Sequence, residues 1–157
     1  MKLHFFGLPS AAVEAIHRTG LDSYGDPVER HPSAEEGGMP CRHCLQHVPT
    51  GKPFLALAHR PFAGRNPFTE TGPIFLCDPL CAPAAPSPEV PAFLTAPQYL
   101  LRGYDSDERI IYGTGAVTPR TELTAYAEEL LSRDDIAFVD LRSASNNCFL
   151  CRIHRAD

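Results

Sequence analysis

The chain predicts an α+β fold: a single domain over residues 1–157, with a mostly antiparallel sheet, two helices packed on it and a proline-rich surface segment. Three observations carry this expectation. Short apolar runs recur between clusters of turn-forming residues, as strands do. Leu123, Tyr126, Ala127, Leu130 and Leu131 fall at helical spacing, the clearest amphipathic pattern present. The stretch from Asp78 to Pro97 holds six prolines, which bars it from a helix interior or a central strand. A chain of 157 residues can enclose one real core, and an apolar share of 43% with a charged share of 21% is that of an ordinary globular protein.

Taken in order, Leu3, Phe5 and Leu8 indicate an opening strand. Ser10 is an N-cap candidate for a helix carrying Val13, Ile16 and His17 and stopped by Gly20. Residues 21–40 are rich in Gly, Pro and acidic residues and read as surface loop, with only Pro27 to Arg30 fit for a brief edge strand and His31 expected in solvent. Phe54 to Ala58 is a central buried strand, and Ile74 to Cys77 is another short one after the Pro61 to Pro73 loop. The proline-rich segment then crosses the surface, anchored by Val90, Phe93 and Leu94. Tyr99 to Tyr104 and Ile110 to Val117 form a hairpin about Asp105-Ser106-Asp107-Glu108. Thr118 caps a helix that begins at Pro119. Ile136 to Leu141 has the apolar character of a central strand, and the turn from Ser143 to Asn147 leads into a closing strand, Phe149 to Ile153.

The net charge of -5 disfavours nucleic acid and anionic membrane as partners, leaving an unknown small molecule or protein. The N-terminal apolar run is broken by His4 and Pro9 before it reaches signal-peptide length, so a cytoplasmic location is expected. In that reducing compartment six cysteines serve as thiols or metal ligands rather than as a disulfide framework.

Two of those cysteine pairs share a pattern. Cys41-Arg42-His43-Cys44-Leu45-Gln46-His47 and Cys148-Phe149-Leu150-Cys151-Arg152-Ile153-His154 both read C-x-x-C-x-x-H. Four thiolates in two such pairs can close a tetrahedral zinc shell, so Cys41, Cys44, Cys148 and Cys151 are the favoured metal ligands and zinc the expected cofactor. Two features weigh against it: zinc knuckles usually carry glycine after the second cysteine, where Leu45 and Arg152 stand, and in a regular strand Cys151 would share an apolar face with Phe149 and Ile153. Buried thiols and a dithiol redox pair remain as the other readings. Cys77 and Cys81 could lend a ligand, although Pro79 between them favours a turn with one packed thiol.

The residues Pro40-Cys41-Arg42-His43-Cys44-Leu45, Gly72-Pro73-Ile74-Phe75 and Arg142-Ser143-Ala144-Ser145-Asn146-Asn147-Cys148-Phe149, with Cys151-Arg152, together resemble a bacterial family designated domain of unknown function 1203. The resemblance runs from about residue 40 to residue 155 and implies a small cytoplasmic α+β domain with no assigned activity.

Beyond the cysteines, Arg42, His59, Arg142, Asn146, Asn147 and Arg152 are candidates to line a pocket for an anionic small molecule, because guanidinium presents a planar fork to carboxylate or phosphate. Surface ion pairs are the plainer reading of the same arginines. No serine-nucleophile elbow, P-loop, dinucleotide fingerprint or paired-carboxylate motif is present. Two function classes follow. One is a binding or interaction domain with a structural zinc site; the other is a thiol-dependent or redox enzyme using Cys41 or Cys148 with a nearby histidine.

Overall fold

Alternating burial organises the chain into eight strands and two helices, described over residues 1–156 in a computed structural model. In chain order these are β1 (Leu3–Phe6), α1 (Ser10–Thr19), β2 (Glu29–His31), β3 (Phe54–His59), β4 (Gly72–Cys77), β5 (Gln98–Tyr104), β6 (Ala116–Pro119), α2 (Leu123–Leu131), β7 (Phe138–Ser143) and β8 (Phe149–Arg155). The strands make two antiparallel sheets, one ordered β1-β8-β7-β5-β6 and the other β2-β3-β4.

Each sheet has its own helix and core. Val13 and Ile16 of α1 pack with Leu55, Leu57, Ile74 and Leu76 of the small sheet. Leu123, Ala127, Leu130 and Leu131 of α2 pack with Leu101, Val139, Leu141 and Ile153 of the large one, as their helical spacing requires. β7 is the middle strand of the large sheet, and β3 is the middle strand of the small one. Phe149 joins the two bodies, since it begins β8 yet belongs to the core under α1.

Three boundaries differ from the sequence expectation. The N-cap of α1 is Pro9, and Ser10 is the first helical residue; its hydroxyl meets His43 Nε2 at 3.0 Å instead of capping the helix. The second arm of the hairpin is only Ala116–Pro119, because the chain after the Tyr104–Ile110 bridge leaves the ladder and re-enters it past Gly113, whose φ is 87°. Pro119 therefore ends a strand, with ψ at 142°, and α2 starts at Leu123 after a 3-10 turn over Arg120–Glu122. Thr118 turns its hydroxyl to the Ala116 carbonyl and caps nothing.

The proline-rich segment is irregular, as its composition demands. Phe93 and Leu94 are buried anchors, Ser87 accepts a hydrogen bond from the Phe5 amide beside β1, and the Ala84 amide donates to the His43 carbonyl at 3.0 Å. His31 is half-buried rather than free in solvent, stacked on Phe54 with ring centroids 4.8 Å apart. Among the described residues no helix is long and apolar enough to cross a membrane.

Candidate metal centre and adjoining clefts

Residues 40–47 fold back on themselves. The Cys41 amide donates to the Gln46 carbonyl at 2.9 Å, the Leu45 amide donates to the Cys41 carbonyl at 3.1 Å, and Pro40 bridges His47. Leu45 takes the left-handed conformation, with φ at 56°, that glycine usually supplies in a knuckle. The large-sheet core buries the Leu45 side chain, and that burial offsets the backbone cost. The absence of glycine after Cys44 therefore did not prevent the turn.

This knuckle docks on the end of β4. Cys41 forms a parallel bridge with Phe75, and the Arg42 amide donates to the Phe75 carbonyl at 3.1 Å. Two residues further along, Cys77 ends β4, and a turn through Asp78 and Pro79 brings back Cys81. The result is a quartet, Cys41, Cys44, Cys77 and Cys81, whose sulfurs all lie within 4.8 Å of one another. Cys41 Sγ is 3.7 Å from Cys81 Sγ, and Cys44 Sγ is 4.0 Å from Cys77 Sγ.

The expected quartet is thus corrected in its second half. Cys148 and Cys151 do not join Cys41 and Cys44; the Cys77–Cys81 pair takes their place. The register explains why. Leu141 pairs with Cys151 and Arg142 pairs with Phe149, which leaves Leu150 as the extra residue of a bulge. Leu150 and Cys151 both enter the core under α2, where Cys151 is fully buried, while Phe149 faces the other core. Cys148 stays on the turn before β8, partly exposed. The two histidines of the repeated pattern are also elsewhere: His47 lies edge-on to Phe93, and His154 packs against Phe6 and Phe138.

The imidazole at the quartet is His43. Its Nδ1 lies 3.4 Å from Cys81 Sγ, and Ser10 Oγ meets Nε2 from the other side. With the proton on Nδ1, the ring donates to sulfur while the serine hydroxyl donates to Nε2, the kind of outer partner that orients a ligand and disperses its charge. The Cys77 amide adds a second donor, to Cys41 Sγ at 3.4 Å. Hydrogen bonds from Cys44 and Cys77 push the Cys41 thiol far below its usual range, whereas the bond to Cys41 pushes Cys44 up. Cys77 is likewise raised by its bonds to Cys41 and Cys44, and Cys81 is pushed up to about 12, chiefly by burial. One negative charge is easily held among the four sulfurs, and further ionisation needs a cation. The quartet is therefore fit to hold a metal ion.

Arg42, between the two knuckle cysteines, is only 2% exposed and pairs with no carboxylate among the described residues. Its Nε donates to the Phe149 carbonyl and its Nη1 to the Pro40 carbonyl, fastening the knuckle to the start of β8. Burial lowers its pKa to about 10, against the opposing pull of Cys148, Cys41 and Cys151.

The other pocket candidates fall into three places. His59, Arg142, Asn146 and Asn147 line one cleft, together with Glu70 and Cys148. Arg42 lines an adjoining cleft that shares Asn146 and Cys148 with the first. Arg152 borders a more apolar groove with Phe6, Pro61 and His154, but its guanidinium is already taken by the buried Asp140, with Nε to Oδ1 at 2.6 Å and Nη2 to Oδ2 at 3.0 Å, and lies over Phe138.

Fold and quartet define a class: small, mostly sheet α+β proteins with a four-cysteine cluster suited to a metal ion. Within that class, the chain belongs to the family described as protein of unknown function (DUF1203), whose model matches residues 38–155. No curated protein and no solved structure matches it. The matched region contains all six cysteines, but not Ser10, so one partner of His43 lies outside it.

Proposed function

We propose that this protein is a small cytoplasmic binding or interaction domain whose knuckle is locked by structural zinc on Cys41, Cys44, Cys77 and Cys81. The spacing of the sulfurs carries the reading. A zinc ion with Zn–S bonds of about 2.3 Å holds its ligands about 3.8 Å apart; Cys41 and Cys81 are 3.7 Å apart, Cys44 and Cys77 4.0 Å, and no two of the four sulfurs are more than 4.8 Å apart. All four ligand positions are taken by protein, the arrangement of a structural rather than a catalytic zinc. A zinc tetrathiolate is a dianion, and the buried guanidinium of Arg42 and the Nδ1–H of His43 answer part of that charge. The partner would be a small molecule or a protein, in keeping with the acidic net charge.

The thiol-enzyme reading rests on Cys148 alone once Cys41 is a ligand. Cys148 shares a cleft lining with His59, which is the observation in its favour. Metal analysis with thiol counting on the native protein separates the two. We expect about one zinc per chain, lost in Cys44→Ser and Cys81→Ser and kept in Cys148→Ser and Cys151→Ser. Zinc that survives Cys81→Ser but not Cys148→Ser would overturn this ligand set, and a metal-free protein with reactive thiols would favour the enzyme.

A further inference from the structure

We propose that the cleft between the end of β3, the start of β4 and the β7–β8 turn is a binding site for a small molecule bearing an oxyanion, a carboxylate or phosphate group, held by Arg142 beside the Cys148 thiol. Its volume is about 230 Å³, and His59, Glu70, Thr71, Arg142, Asn147 and Cys148 are on its wall. That is below the roughly 300 to 1,000 Å³ of drug-sized ligand sites, which sets the scale of the occupant.

Arg142 is 5% exposed, and its fork is only partly used. The Nε donates to the Asn147 carbonyl at 3.1 Å and to Asn147 Oδ1 at 2.9 Å, and Nη2 pairs with Glu70 Oε2. Nη1 is buried with no hydrogen-bond partner among the described residues. A buried guanidinium N–H without an acceptor is costly, so its retention beside a cleft points to an acceptor from outside the chain. The fork is held from two sides: the β8 bulge lies next to Arg142, and Asn147 adopts a left-handed conformation, with φ at 57°, while offering both its oxygens to Nε.

The charge balance selects an anion. Glu70 is the one carboxylate on the wall, and it is shared by Arg102 and Arg142; with the buried Asp140 and its partner Arg152 behind them, three guanidiniums stand against two carboxylates. A chain with net charge -5 thus keeps an uncompensated positive charge in a half-enclosed cleft. An oxyanion completes that pairing and accepts from Nη1 in the planar geometry that guanidinium presents. The site does not depend on the metal centre.

Cys148 serves as the reporter. In the zinc-loaded wild-type chain, alkylation by iodoacetamide is followed by peptide mass spectrometry at Cys148, with inorganic phosphate or malonate added and potassium chloride at matched ionic strength as the control. The expected result is a saturable slowing by phosphate, malonate or both, and none by chloride. The arm that protects identifies the headgroup. Arg142→Lys, which keeps the charge and loses the fork, should weaken protection by about tenfold or more. Absence of protection by both anions, or equal slowing by chloride, overturns the site; the wild-type measurement decides this even where Arg142→Lys fails to fold. Failure of zinc binding leaves the outcome unaffected if the same titration is run on the metal-free chain.

Discussion

Leu45 shows how two local costs are resolved by magnitude. Its left-handed backbone costs about 1 to 2 kcal/mol, while loss of a buried leucine side chain costs about 2 to 5 kcal/mol. Leu45→Gly should therefore destabilise the protein by roughly 1 to 3 kcal/mol in a denaturant titration, despite relieving the backbone; a gain in stability would show that the burial is not what holds the turn. His59 gives a pH dependence. Burial, with Arg60 and Arg152 nearby, lowers its pKa from 6.5 to about 4, so the folded state favours the neutral ring. Between those values the unfolded chain binds the extra proton. This contribution is fully present above about pH 6.5, is lost as pH falls, and is gone below about pH 4, a change of at most about 3 kcal/mol. The difference between wild type and His59→Gln across that window isolates it from acid effects on the sulfurs, and a flat difference would remove His59 from the account.

Among the elements, the β1–α1 connection and the knuckle are fitted backbone to backbone. The Leu8 amide donates to the Arg42 carbonyl at 2.7 Å, and a Cβ on Gly7 would come within 2.5 Å of the His43 carbonyl oxygen. Gly7→Ala must push the knuckle off its seat, with an expected loss of about 1 to 3 kcal/mol and weaker retention of the proposed zinc in a chelator competition. An unchanged protein would mean that the connection gives way without cost. Strand β7 makes a different demand. Asp140 is wholly buried and is matched by Arg152, so Asp140→Asn strands a guanidinium among Phe62, Phe138 and Phe149; a loss of about 3 to 5 kcal/mol in chemical unfolding is expected.

For the whole molecule, the quartet belongs to one of the two larger cores, a third and smaller cluster being formed by Phe62, Tyr104 and Phe138. Cys41, Cys77, Cys44 and Cys81 pack with the small sheet and α1, whereas α2 and the middle of the large sheet lie in the other core. With the proposed zinc bound, its removal should raise hydrogen exchange first in residues 40–48 and 77–84 and then in α1 and the small sheet, while Val139 to Leu141 stay protected. Uniform loss of protection would show instead that the two cores unfold as one unit.

Much of this was legible from the chain because it is decided locally. Helical spacing alone set the buried face of α2, proline content excluded residues 79–97 from regular structure, and apolar runs between turn residues placed β3, β4, β5, β7 and β8 close to their final bounds. The pairing of Cys41 with Cys44 in a cysteine cluster was also visible, although Leu45 in place of glycine counts against the turn that joins them. The choice of the second cysteine pair was not. Two pairs were available at comparable spacing, and selection between them depends on contacts made over long sequence separations. The Cys41–Phe75 bridge carries the knuckle to the end of β4, and a single extra residue in β8 turns Cys151 into the opposite core. Spacing within a motif fixes which sulfurs can share a turn; strand register, a property of the folded sheets, decides which turns meet.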